Sequence, residues 1–136
     1  MMELTRKGEY AIRGIVCLAQ QERGRVVLMN EIAAATQAPP KFLAKILQNF
    51  AKAGIVRSFR GAGGGFILGR PAAQITLRDV VEAIEGPIVP NRCLIRDGAC
   101  DRDGYCKVHQ VWHRVQKSIL DILESVTIEA LAKRDD

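Results

Sequence analysis

The sequence predicts a mainly α chain with a small β-hairpin and one long helix near its C-terminal end. Three observations carry that expectation. Apolar residues recur at helical spacing in several separate segments. Two short β-branched and aromatic runs flank a glycine cluster, Gly61-Ala62-Gly63-Gly64-Gly65. Val108, Trp112, Val115, Ile119, Ile122 and Val126 repeat at alternating steps of four and three. A length of 136 residues with 48% hydrophobic content suits one core, or a small domain with an appended dimerisation arm.

The first helix is expected from Thr5 to Gln21, with Ala11, Ile15 and Leu18 beside Ile12, Val16 and Ala19 on one broad face. Cys17 lies among these apolar neighbours and reads as a buried, inert thiol. Gly24 breaks the helix, and Arg25-Val26-Val27-Leu28 has the length and branching of a short strand. A second helix starts near Met29 or Asn30 and ends about Gln37, before Ala38-Pro39-Pro40. Proline is tolerated in a first helical turn, so a third helix opens there and runs from Lys41 to Ala53. It turns Phe42, Leu43, Ile46, Leu47 and Phe50 inward and leaves Lys41, Lys45, Gln48, Asn49 and Lys52 on the other side. Gly54 stops it.

A helix, a tight break and a helix with a basic, amide-rich outer face follow the logic of a helix-turn-helix. The strands Ile55–Phe59 and Phe66–Leu68 then make a hairpin with a glycine tip, which is a wing. Arg57, Arg60 and Arg70 make that wing basic, and glycines such as Gly61 and Gly63 let its backbone approach a groove closely. A nucleotide loop is excluded, because no Lys-Ser/Thr pair follows and the glycines open a strand. Thr76-Leu77-Arg78-Asp79 has capping-box spacing and begins a helix that ends at Gly86-Pro87. The longest helix runs from Lys107 to about Ser125, and its seam reads as a dimerisation surface formed by Val108, Trp112, Val115, Ile119 and Ile122. The expected divisions are a winged helix-turn-helix at 1–86, a cysteine-rich segment at 87–106, and a dimerisation helix with its tail at 107–136.

Charge supports a polyanionic partner for the front half. Residues 1–60 hold ten lysines and arginines against four acids, and residues 61–136 hold ten against eleven, so a net +6 and a net −1 make up the overall +5. Double-stranded DNA is the partner such a lopsided basic charge suits. No apolar run reaches the ~18 residues of a membrane span, and the N-terminal ten residues lack a signal peptide's apolar segment. The expectation is a cytoplasmic protein without a membrane partner.

Chemistry concentrates in Cys93 to His109, where three of the four cysteines and one of the two histidines fall together. Asp97, Gly98, Asp101, Asp103 and Gly104 lie between them, and these residue types favour turns that bend thiols toward one point. In a reducing compartment such clusters bind metal or do redox work more often than they form structural disulfides. Sulfur ligands suit zinc, Cu(I) and iron–sulfur clusters. The gaps of six and five residues exceed a zinc knuckle, which leaves a cluster, a zinc site and a metal-free thiol switch as readings. No C-x-x-C redox pair and no Ser/His/Asp arrangement can be read, so neither an enzyme nor a small-molecule substrate is expected. An iron–sulfur carrier or thiol oxidoreductase would leave the basic helix and wing without a role.

L-T-R-K-G-E-Y-A at the start, F-L-A-K-I-L-Q in the third helix, R-G-A-G-G-G-F-I-L-G in the wing and three cysteines before a long helix resemble the IscR/NsrR type of winged-helix regulators. The similarity covers nearly the whole chain. It implies a homodimeric transcriptional regulator of repressor type that binds a palindromic promoter site and responds to an iron–sulfur cluster, with iron–sulfur or redox status or nitric oxide as the signal. Carried over by position, Cys93, Cys100 and Cys106 match the cluster ligands, and His109 matches the fourth ligand of the IscR type, which holds 2Fe-2S. The first cysteine gap is one residue longer than in those members. Glu9 matches the acidic residue that reaches the partner subunit's cluster in the NsrR type, where the cluster is 4Fe-4S. Lys41, Phe42, Lys45 and Arg60 match DNA contacts, and Gln48, Arg57, Gly61 and Gly63 extend that surface. Ala44 stands where IscR has the acid that separates its two classes of site, so target specificity is expected to differ.

Overall fold

The structure, a computed structural model, describes residues 5–90, 94 and 107–133. Helix α1 (Arg6–Ala19) starts where Thr5 Oγ1 accepts the Gly8 N–H at 3.2 Å, which satisfies one of the amides a helix start leaves over. It buries Ala11, Ile15, Cys17 and Leu18 and ends two residues before the expected Gln21. Gly24 then takes φ +83° in the following turn. The strand expected at 25–28 shrinks to one residue. Val27 alone exchanges both backbone hydrogen bonds with Phe66, each 2.9 Å long. The turn through Glu22–Arg25 uses up the residues before it, and the next helix begins at Met29.

Helices α2 (Met29–Thr36) and α3 (Pro40–Lys52) meet at a sharp break. Gln37 takes φ +59°, the left-handed conformation that usually belongs to glycine. The buried Thr36 hydroxyl holds that turn, donating to the Ile32 carbonyl at 2.7 Å and accepting the Ala38 N–H at 3.3 Å. With Pro40 as its first residue, α3 enters at a fixed angle. Its inner face is Leu43, Ile46, Leu47 and Phe50, none more than 1% exposed. A large apolar side chain buried that fully contributes about 1.5–3 kcal/mol. Phe42, expected inward with them, is instead 37% exposed, because the helical phase points it to the flank facing α1.

Strands β1 (Val56–Phe59) and β2 (Gly65–Leu68) pair antiparallel, with Val56 opposite Leu68 and Phe59 opposite Gly65. After a single 3-10 turn at Ala72–Gln74, α4 (Leu77–Glu85) opens on the expected reciprocal cap. Thr76 Oγ1 accepts the Asp79 N–H at 3.1 Å, and Asp79 Oδ2 accepts the Thr76 N–H at 3.0 Å.

Helix α5 (Lys107–Ser125) packs on α4, and Gln116 Nε2 donates to the Ile88 carbonyl at 3.0 Å. The chain then turns back. The Leu77 N–H donates to the Val126 carbonyl and the Ile128 N–H to the Ile75 carbonyl, both at 2.8 Å, and α6 (Ile128–Ala132) settles against α1. Ile128 is fully buried in the same core as Ile15, Phe50 and Val80. No helix among the described residues is long and apolar enough to cross a membrane.

Candidate nucleic-acid interface and metal-ligating segment

Burying Leu43, Ile46, Leu47 and Phe50 forces the opposite face of α3 outward. Lys41, Lys45, Gln48 and Lys52 are all exposed there, while Asn49 and Ala44 are half-buried at its edges. Phe42 sits beside Lys41, with its ring edge-to-face against Tyr10 of α1 at 5.9 Å between centroids. The guanidinium of Arg13 also lies over the Tyr10 ring, 5.9 Å from its centroid. The sequence reading missed these two α1 residues as neighbours of α3. Their signal was only that Tyr10 falls one position off the apolar face of α1.

The wing presents Arg57 and Arg60 to solvent. At its tip Gly61 and Gly63 have φ of +91° and +77°, and the Gly64 N–H donates to the Gly61 carbonyl at 2.9 Å. A Cβ on Gly64 would come within 2.4 Å of the Phe59 carbonyl oxygen, so the tip closes this tightly only on glycine. Arg70 behaves differently from the other wing cations. Its Nη2 is 3.1 Å from Asp79 Oδ2, the same carboxylate that caps α4, so it ties the base of the wing to α4 and does not extend the tip. The exposed cations of α3 and of the wing tip remain as a basic surface of the kind that neutralises phosphates.

Cys93, Cys100 and Cys106 lie outside the described residues. Of the other candidate ligands, His109 stands in the first turn of α5 and is 8% exposed. Its ring meets that of His113, one helical turn on, edge-to-face at 4.4 Å between centroids. Glu9 stands exposed in the first turn of α1. Among the described residues no group of three or more metal-ligating side chains comes together. Cys17, the remaining cysteine, is buried in α1. Burial, with the Glu31 carboxylate nearby, pushes its thiol above the ordinary value and keeps it protonated and unreactive.

On the candidate dimer seam, Val108 is 60% and Ile122 65% exposed, while Trp112, Val115 and Ile119 are half-buried. Val111, absent from the seam as read, is also exposed, at 52%.

The Rrf2 family profile, described as an iron-dependent transcriptional regulator, matches residues 4–134. The chain belongs to the Rrf2 family. This Rrf2 chain is 35% identical over 131 residues to a putative HTH-type transcriptional regulator of Mycobacterium tuberculosis, covering 96% of itself and 81% of that protein. It is 30% identical over 135 residues to the HTH-type transcriptional regulator IscR of Xenorhabdus nematophila, covering 99% and 82%. Among solved structures it is similar to CymR, the global cysteine regulator of B. subtilis, at a TM-score of 0.79, 29% identity and full coverage of both chains. T. potens IscR follows the same fold at a TM-score of 0.75 and 28% identity, over 96% of this chain and 85% of that one. The wing and helix-turn-helix therefore belong to a DNA-binding transcriptional regulator, not to an enzyme.

Proposed function

We propose that this Rrf2 chain acts as a homodimeric repressor on a palindromic promoter site, with its affinity set by an iron–sulfur cluster held by Cys93, Cys100, Cys106 and His109. The observation that carries the DNA-binding half is the outward face of α3, where Lys41, Lys45 and Gln48 stand exposed over a fully buried inner face. A helix presented so can enter a major groove, while Arg60 at the glycine tip reaches the adjacent minor groove, whose narrow A/T-rich width concentrates negative potential.

The donor set supports the second half. Three thiols and an imidazole fall within seventeen residues of sequence, and sulfur with nitrogen suits an iron–sulfur group. His109 stands in the first turn of α5 and is buried, so its ring is restrained before any ligand binds. When bound, the cluster supplies a redox- and iron-dependent ligand that has different affinity for two arrangements of the dimer. The chain's own part is to hold α5 against α4 and thereby set how far apart two recognition helices stand. Half-sites one helical turn apart demand such a fixed spacing. His109 as fourth ligand goes with 2Fe-2S, and Glu9 reaching across from the partner subunit goes with 4Fe-4S.

A second reading is a thiol switch without metal, or a zinc-stabilised segment. The structural likeness to CymR, one homologue of which was solved in an oxidized form, favours the thiol version. Iron, sulfide and zinc counted on protein purified without oxygen separate the three. Equal iron and sulfide is expected, two of each for 2Fe-2S or four of each for 4Fe-4S. Cys93→Ala should remove them, leave the far-UV circular dichroism unchanged and alter promoter affinity in a gel shift. Promoter affinity that stays the same in Cys93→Ala, with and without iron, would overturn the switch.

A further inference from the structure

A large exposed aromatic side chain on the wing is not accounted for by the α3 face or by the cations at the tip. Phe59 closes β1 beside the tip and is 39% exposed. The strand register fixes its surroundings. Arg57 opposite Ile67 and Phe59 opposite Gly65 share one face of the hairpin, while Val56 and Ser58 share the other with Leu68 and Phe66. Phe66 and Leu68 pack against the core, so the face with Arg57 and Phe59 is the outer one. Gly65 offers Phe59 no cross-strand side chain, and it cannot gain one. A Cβ there would come within 2.4 Å of the Val27 carbonyl oxygen, at the very bridge that joins the hairpin to the domain. The Phe59 ring lies instead along its own strand under the Arg57 guanidinium, 5.3 Å from the ring centroid.

We infer that Phe59 is a positioning residue of the DNA interface, holding the Arg57 guanidinium flat on the wing's outer face beside Arg60 so that both cations meet the phosphates that border the wing. The inference rests on the reading of the wing as a DNA contact and goes beyond it by adding a residue that is neither basic nor polar. A guanidinium stacked on a ring is weakly hydrated and restrained before it meets the DNA, so less rotamer freedom is lost on binding. The two residues act as one unit. If Phe59 merely shielded the backbone at Gly65, as aromatics do opposite strand glycines, its loss would lower stability and leave DNA affinity alone.

The test measures binding of a mixed-sequence DNA duplex by fluorescence anisotropy across a range of salt, with thermal unfolding of every variant alongside. Phe59→Leu and Arg57→Ala are each expected to weaken binding by about two- to fivefold. Arg57→Ala should also reduce the salt slope by about one. The double variant should bind no worse than the weaker single one, since the two share a single contact. Phe59→Trp, which keeps a ring under the guanidinium, should bind as the parent does. Phe59→Leu with parental affinity and slope, or losses that multiply in the double variant, would overturn the inference. If Phe59→Leu does not fold, Phe59→Ile takes its place, with the same loss expected and the same outcomes overturning the inference. Failure of the wider wing reading looks different, since there Arg60→Ala would leave duplex affinity unchanged as well.

Discussion

Arg60 occupies the one position where the wing's geometry leaves a cation no intramolecular task. It is exposed, and it precedes a turn that two left-handed glycines hold open. Arg60→Ala is therefore expected to cost about 1–3 kcal/mol on a specific promoter site, measured by titration at fixed salt. No cost on any promoter fragment would remove the wing from the interface. The contrast with Arg70 shows what sequence could convey at this scale. Both read as wing cations, because composition records charge and not the direction of a side chain. Arg70 is spoken for by Asp79, a residue the sequence had marked only as half of a helix cap. Phe42 was hidden similarly, since it is apolar and lies next to buried Leu43. Only the phase of α3, which its neighbours' burial fixes, sends it toward Tyr10.

Among the elements, those with strong local chemistry were legible to within a residue or two. The cap of α4 needs only Thr76 and Asp79 at the right spacing, and both of its hydrogen bonds form. Thr76→Ala should lower stability by about 1 kcal/mol in urea unfolding with little change in m-value. A cost below a few tenths would mean that the Val126 carbonyl, bonded to the Leu77 amide, already fixes the helix start. The expected strand at 25–28 fared worse because pairing is not a local property. Its branched residues suit a strand, but the partner β2 is reached only at Val27. The break near Gln37 was legible from Pro39-Pro40, but its left-handed conformation was not, since nothing in glutamine signals one. The buried Thr36 hydroxyl that imposes it becomes visible only when the helices pack.

For the whole molecule, the winged domain and the long helix were readable from periodicity, whereas the return of α6 to the core was not. A five-residue helix carries too little pattern to show that Ile128 belongs with Ile15 and Phe50. The exposed apolar side chains of α5, Val108, Val111 and Ile122, are spaced so that one helix face carries all three. If that face joins two subunits, Ile122→Glu should give a folded monomer in sedimentation analysis, with promoter binding lost before non-specific binding. A dimer that survives Ile122→Glu would place the interface elsewhere. The pairing of Leu77 with Val126 and of Ile75 with Ile128 has a mechanical consequence. It makes α5 a strut of about 28 Å, nineteen residues at the usual rise, pinned at its far end to the body of the domain. Over that length a tilt of about 5° at the pin swings the His109 end by roughly 2 Å. A small rotation at the pin is thereby felt as a larger displacement at the opposite tip, and the Gln116–Ile88 bond midway along the helix is what resists it.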